Sequence, residues 1–279
     1  MFDLDELKLC INNLKKINNK LYSNTILMND ELEKLSLDSN TFLHFSNEVV
    51  CIFVKESGFY RMHYYTNSPF NCRCIKDAII SQNLDVPVII DVFGKQSKIK
   101  EHINAMEDIG CEIYASYHRW QRKADETEKF PFDYASMSQM FSGIEVGYAS
   151  TSDINEAMRI INDSFEPFIA YVPDRNKLTK AVENNELFTI RLDGRLIGIF
   201  CVEVLGDKVV FMHNLVVDKE IDGSALGVLL FTYAIETYPK GTAFSFWIDD
   251  VNHKSIRIAN KFKFIRDENM GYHIIKYAI

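Results

Sequence analysis

The stretch His213 to Leu230, HNLVVDKEIDGSALGVLL, decides how the rest of the chain is read. Asn214-Leu215-Val216-Val217 is apolar and rich in valine, which predicts a strand. Gly223, Ser224, Ala225, Leu226 and Gly227 follow as mostly small residues at the opening of an apolar helix. Small side chains at that junction let a ligand approach the backbone. The first N–H groups of a helix, with the positive end of its dipole, stabilise a nearby anion by about 0.3–1 kcal/mol per charge. Strand, small-residue turn and helix therefore suit a phosphate or pyrophosphate, and they equally suit a helix start packed tightly on its neighbours.

The chain has 279 residues, of which 47% are hydrophobic and 13% aromatic, enough for two domains with their own cores. A net charge of −8 argues against a general nucleic-acid binder, which needs a clustered basic surface. It does not argue against an anionic ligand held by backbone N–H groups. No long uninterrupted apolar segment is present, and the opening MFDLDELK is acidic where an export signal is basic and then apolar. The expectation is a cytoplasmic protein with no membrane partner. Cys10, Cys51, Cys72, Cys74, Cys111 and Cys201 sit mostly in apolar surroundings and read as reduced thiols. Cys72-Arg73-Cys74 lacks the spacing and the second ligand pair of a zinc site, so no metal is expected.

One order of elements occurs twice. Leu4, Leu7, Cys10, Ile11, Leu14 and Ile17 lie on one helical face, with Asp3 as cap. A helix from Asn29 to Leu35, three strands (FLHFS, VVCIFVKES, FYRMHYYT), a helix near Ile75 to Gln82, a strand Val86 to Val92, a helix Ser97 to Ile109 and a strand Glu112 to Tyr117 follow. From Ile144 the same α-α-β-β-β-α-β-α-β order returns. It runs through a helix capped at Ser152-Asp153, another from Pro173-Asp174, a hairpin turning at Asp193-Gly194 and a third strand KVVFMHNLVV. Ser224 to Glu236, Ala243 to Ile248, Ser255 to Phe262 and Tyr272 to Tyr277 complete it. Met62-His63 echoes Met212-His213. The expected division is 1–120, a charged and then Ser/Met-rich linker 121–143, and 144–279. Where the second copy has its glycine-bearing loop, the first has Asn67-Ser68-Pro69-Phe70-Asn71-Cys72, with a proline that removes an N–H donor.

On these features the second copy resembles the GNAT acyltransferase family, and the whole chain resembles tandem GNAT proteins in which one copy binds acetyl-coenzyme A. The family loop, Gln/Arg-x-x-Gly-x-Gly/Ala, is similar to Glu220-Ile221-Asp222-Gly223-Ser224-Ala225. The resemblance implies an α/β (α+β) fold of two GNAT-like domains, each a mixed, mainly antiparallel sheet flanked by helices. It further implies an acetyl-CoA cofactor whose pyrophosphate meets Gly223 to Gly227, whose pantetheine arm lies along Leu215, Val216 and Val217, and which Asn252 touches. The sequence departs from the family at Glu220 and Asp222, which oppose a pyrophosphate, and at Ala259, where a tyrosine acid is usual.

Transfer to an amine needs the neutral amine, which for an alkyl ammonium with pKa near 10.4 is about one molecule in 2,500 at pH 7. A base helps. His213 is the first candidate, with Glu203 and Asp249 or Asp250 as alternatives; as ordinary residues these are a half-buried histidine and surface or capping carboxylates. His253 reads as solvated. Carboxylates facing the cleft would favour a cationic amine acceptor, a small molecule or a peptide; the other partner expected is a second copy of the chain, in a homodimer. Two other readings fit the same residues: an aminoacyl transferase of the two-domain type, or a CoA-binding protein without activity.

Overall fold

The computed structural model describes residues 2–24, 27–68, 72–123, 131–166, 168, 172–221 and 224–278. The chain divides into two compact units, residues 1–118 with 268–279, and residues 119–267.

The first unit opens with α1 (Leu4–Asn18), capped by the Asp3 carboxylate, which accepts from the N–H groups of Asp5 and Glu6. There follow β1 (Tyr22–Ser23), α2 (Asn29–Leu37), β2 (Thr41–Phe45), β3 (Val49–Glu56), β4 (Phe59–Thr66), α3 (Cys72–Ser81), β5 (Val88–Lys95), α4 (Gln96–Asp108) and β6 (Cys111–Lys123). Strands β2, β3 and β4 form the expected antiparallel meander, and β5 joins β4 in parallel. Leu7, Leu14 and Leu32 bury the first two helices on one face of this sheet. Ile75, Ile79, Ile99, Ile103 and Met106 bury α3 and α4 on the other.

The second unit contains α5 (Tyr134–Ser138), β7 (Ile144–Tyr148), a single 3-10 turn at Thr151–Asp153, α6 (Ile154–Ser164), α7 (Arg175–Glu183), β8 (Leu187–Leu192), β9 (Arg195–Val204), β10 (Val209–Val217), α8 (Ser224–Glu236), β11 (Ala243–Asp249) and α9 (His253–Lys261). The hairpin of β8 and β9 turns at Asp193-Gly194, both at positive φ (49° and 80°), as the sequence predicts. Helices α6 and α7 cover one sheet face through Ile154, Ala157, Ile161 and Leu178. On the other face α8, apolar all round, is buried among Phe200, Met212, Phe244 and Phe262.

The last strand, β12 (Ile265–Tyr277), departs from the sequence expectation. It does not close the second unit's sheet. From Met270 to Tyr277 it pairs antiparallel with β5, and Ile275 enters the first unit's core beside Val88 and Ile90. Within the first unit the strand order is β2-β3-β4-β5-β12-β6. Reciprocally, β6 runs past Tyr117 and delivers Trp120 to the second unit's core, where the order is β6-β11-β10-β9-β8-β7. The observed units therefore differ from the contiguous blocks 1–120 and 144–279: the first takes residues 268–279, most of β12, and the second takes the end of β6 from Arg119. The expected linker contains the end of β6 and the short helix α5, whose cap is Asp133; residues 124–130 lie outside the described set.

Candidate active site

In the second unit β10 and β11 are parallel, with Val209, Val210 and Phe211 opposite Ala243, Phe244 and Ser245. The ladder between them ends there, although β10 continues to Val217 and β11 to Asp249. The two strands fork. On its other side β10 stays paired with β9, with one irregularity between His213 and Val216, where Asn214 and Leu215 together face Phe200. This is a bulge, and Asn214 takes a left-handed conformation (φ 50°) that asparagine tolerates better than most residues. Gly198 lies opposite Val217; a Cβ there would approach the Val216 carbonyl oxygen to 2.8 Å. The glycine lets β10 lie close to β9 just past the bulge.

The bulge re-aims the side chains. Met212, Leu215 and Val217 pack on the α8 side, and Val216 packs on the α6/α7 side. His213 shares the latter face with its cross-strand partner Cys201. Its ring stacks on Phe211, with centroids 5.8 Å apart. Burial lowers the imidazole pKa below the ordinary 6.5, partly offset by the hydrogen bond to Asn214 and by the carboxylates of Glu203 and Glu186, while Lys177 adds to the lowering. His213 is thus neutral at pH 7. Its Nδ1 donates to Asn214 Oδ1, which makes Nε2 the basic nitrogen.

The loop after β10 is anchored at Asp218. Its buried carboxylate binds Arg159 at 2.6 Å and accepts the Glu220 N–H at 3.1 Å. Arg159 above all, with that N–H and more distant Arg195, holds the carboxyl below the usual range. Glu220 faces Arg195 at 3.4 Å, so its charge is partly balanced in place. Asp222 and Gly223 lie outside the described residues. Ser224 opens α8, Ala225 is exposed, Leu226 is buried, and Gly227 is buried with the Val217 side chain 3.8 Å from where its Cβ would be.

Of the other residues singled out in the sequence, Glu203 lies opposite Phe211 and diagonal to His213 on the same face. Asp249 ends β11, half-buried, and accepts the Val251 N–H at 3.1 Å. Asp250 approaches Arg266 at 3.8 Å, and His253 is exposed. Asn252 caps α9, its Oδ1 accepting from Ser255 N–H at 3.1 Å. Ala259 is fully buried on α9, in the core. Sequence reasoning missed Asn214, Asp218, Lys177 and Glu186; an asparagine inside a valine-rich strand was the one available signal.

The second unit thus brings together a forked pair of parallel strands, a bulge on one arm and a helix start rich in small residues. Residues 154–264 match the Acetyltransferase (GNAT) family model. No curated protein matches the sequence. A GCN5-related N-acetyltransferase from Sphaerobacter thermophilus shares the fold at 10% identity and TM-score 0.58, over 98% of this chain and 91% of that one. A tandem GNAT protein from the clavulanic acid biosynthesis pathway does so at 12% identity and TM-score 0.58, over 99% and 97%. The glucosamine N-acetyltransferase region of a fungal multi-domain GH3 beta-N-acetylglucosaminidase is similar at 12% identity and TM-score 0.64, over 99% of this chain and 37% of that protein. The tandem, mixed and mostly antiparallel architecture is thus that of GNAT proteins. Among the described residues no helix is long and apolar enough to cross a membrane.

Proposed function

We propose that the second unit is an acetyl-CoA-dependent N-acetyltransferase acting on a cationic amine. The observation that carries this reading is the fork: β10 outlasts its ladder with β11 by six residues, Met212 to Val217, and an extended arm bearing amides fits alongside backbone presented in that way. The main chain of Leu215 to Val217 would hold the pantetheine arm. The N–H groups from Gly223 to Gly227 would hold the pyrophosphate. Bound acetyl-CoA supplies the acyl group as an activated thioester.

The chain's own residues then have two tasks. His213, neutral and with Nε2 basic, takes the proton of the incoming ammonium directly or through a water. Glu203 and Glu186, whose charges already favour the protonated imidazole, attract the ammonium before it loses that proton. Asp249 at the end of β11 is the further carboxylate of the fork. The Arg195 contact of Glu220 weakens the electrostatic objection to a pyrophosphate, and with it the reading of a site that has lost its ligand.

Thermal unfolding with and without acetyl-CoA tests the reading. Ligand at about 100 times its dissociation constant adds roughly 2.7 kcal/mol and raises the midpoint by several degrees. Gly223→Asp abolishes the rise. No shift with the wild type at millimolar ligand refutes the proposal, and a shift without turnover on any amine reduces it to a binding protein.

A further inference from the structure

The first unit contains the same fork, and the chain itself fills it. There β4 and β5 are parallel over Tyr60, Arg61 and Met62 against Val88, Ile89 and Ile90, and β4 then continues to Thr66 while β5 continues to Lys95. Strand β1 lies antiparallel along the far part of β4, with Tyr22 opposite Thr66 and Ser23 opposite Tyr65. The next residue, Asn24, is 2% exposed. Its Nδ2 donates to Met62 O at 3.0 Å on one arm and to Asp91 O at 2.9 Å on the other. Its Oδ1 accepts the Tyr64 N–H at 2.8 Å. One side-chain amide thus makes three of the four hydrogen bonds open to it, with backbone groups at the last ladder pair (Met62) and just beyond it (Tyr64 and Asp91).

We infer that the first unit's fork is a self-occupied site, in which Tyr22–Asn24 take the place of an extended, amide-bearing ligand. Forked parallel strands in a protein interior leave N–H and C=O groups that must find partners. In this unit residues 22–24 are those partners: β1 supplies the backbone and Asn24 the cross-brace. The first unit therefore accepts no acyl carrier, and the protein takes one per chain. The count of one rests on the acetyl-CoA site proposed for the second unit; the self-occupancy does not.

Amide hydrogen exchange, resolved by NMR on the full chain, tests both parts. In the wild type the Tyr64 and Thr66 amides exchange slowly, like those of Ile52 and Phe53 in β3. Asn24→Ala speeds exchange at Tyr64 by tenfold or more and leaves β3 unchanged. Asn24→Asp, which keeps the acceptor for Tyr64 but turns lone pairs toward two carbonyls, does not restore full protection at Tyr64. If the variants do not fold, the wild-type measurement still decides: fast exchange at Tyr64 overturns the inference. Added acetyl-CoA slows exchange within Val209–Val217 and leaves Phe59–Thr66 as it was. Slowing in both segments means that the first unit takes ligand, which also overturns it. Slowing in neither refutes the second unit's reading, and slow exchange at Tyr64 then still upholds the filled fork.

Discussion

Replacing Gly198 by alanine adds one methyl group at the point where β9 supports the end of β10. An ideal Cβ there lies 2.8 Å from Val216 O, 2.9 Å from Ile190 Cγ2 and 3.2 Å from Val217 Cα. Two of these three atoms are backbone, fixed in the ladder by the pairs Val216–Ile199 and Val217–Gly198. The strand must therefore move by several tenths of an ångström. Overpacking of this kind costs about 1–3 kcal/mol. Alanine in place of glycine also narrows the unfolded ensemble, which returns about 0.4–1 kcal/mol. The net loss is about 1–2 kcal/mol, or roughly 2–8 °C in the melting midpoint of a unit of this size. Gly147→Ala is the matched control: on edge strand β7 its Cβ would meet nothing within 4 Å, so its effect is neutral to slightly stabilising. Thermal unfolding of the two variants with the wild type gives the comparison. Gly198→Ala melting at or above the wild type refutes the packing argument. The same shift displaces Val216 and Val217, so acetyl-CoA affinity falls as well; lost stability with unchanged affinity removes those residues from the proposed cofactor site.

His213→Gln retains the acetyl-CoA thermal shift and lowers kcat/KM by about 100-fold or more, as expected for loss of a general base. The wild-type rate falls on acidification through a pKa below 6.5, since burial lowers that of His213 and only the neutral ring accepts a proton; the same acid limb in the glutamine variant assigns it to another group. Asn252→Ala costs about 1 kcal/mol by removing the α9 cap, whereas Asn252→Asp keeps the cap. If the alanine variant leaves acetyl-CoA affinity intact, Asn252 is a cap and not a cofactor contact. His63 is held down to about 4, chiefly by burial. Between 6.5 and about 4 the unfolded chain binds the extra proton, so this contribution is whole above 6.5 and is lost as pH falls toward 4. His63→Gln therefore flattens denaturation midpoints across that window, and an unaltered slope would show that His63 does not set it.

Elements governed by local pattern were legible in the sequence. Five of the six apolar positions of α1, the Asp193-Gly194 turn, the Asp3 cap and the helix start at Asp174 depend on residues a few places apart, and each is found; Ile17, the sixth position, is exposed. What was not legible depends on which distant strand lies alongside. Tyr272 to Tyr277 reads as a strand in either sheet, because alternation says which residues face a core and not whose core it is; Ile275 settles it by packing on Val88 and Ile90. The point at which β10 leaves β11 is equally non-local. Asn214 marks the bulge only when its left-handed conformation is seen, and Asn24 marks the filled fork only when Met62 and Asp91 lie on either side of it.

The echo between Met62-His63 and Met212-His213 acquires a physical meaning from these differences. Both histidines follow a methionine that turns to the opposite face, and burial lowers the pKa of both. Around His213 the bulge at Asn214 fixes the tautomer, and Glu203 and Glu186 counter the lowering. Beside His63 the carboxylate with the larger effect, Asp91, is already bound by Arg61 at 2.6 Å and by the Tyr272 hydroxyl at 2.7 Å. Tyr272 belongs to strand β12, so the strand that completes the first sheet also helps to occupy the carboxylate that acts most strongly on its histidine. A ring held near 4 is neutral at pH 7 but far too weak a base to take a proton from an ammonium. The first unit is thus closed twice over, by Asn24 in its fork and by the weakness of its imidazole.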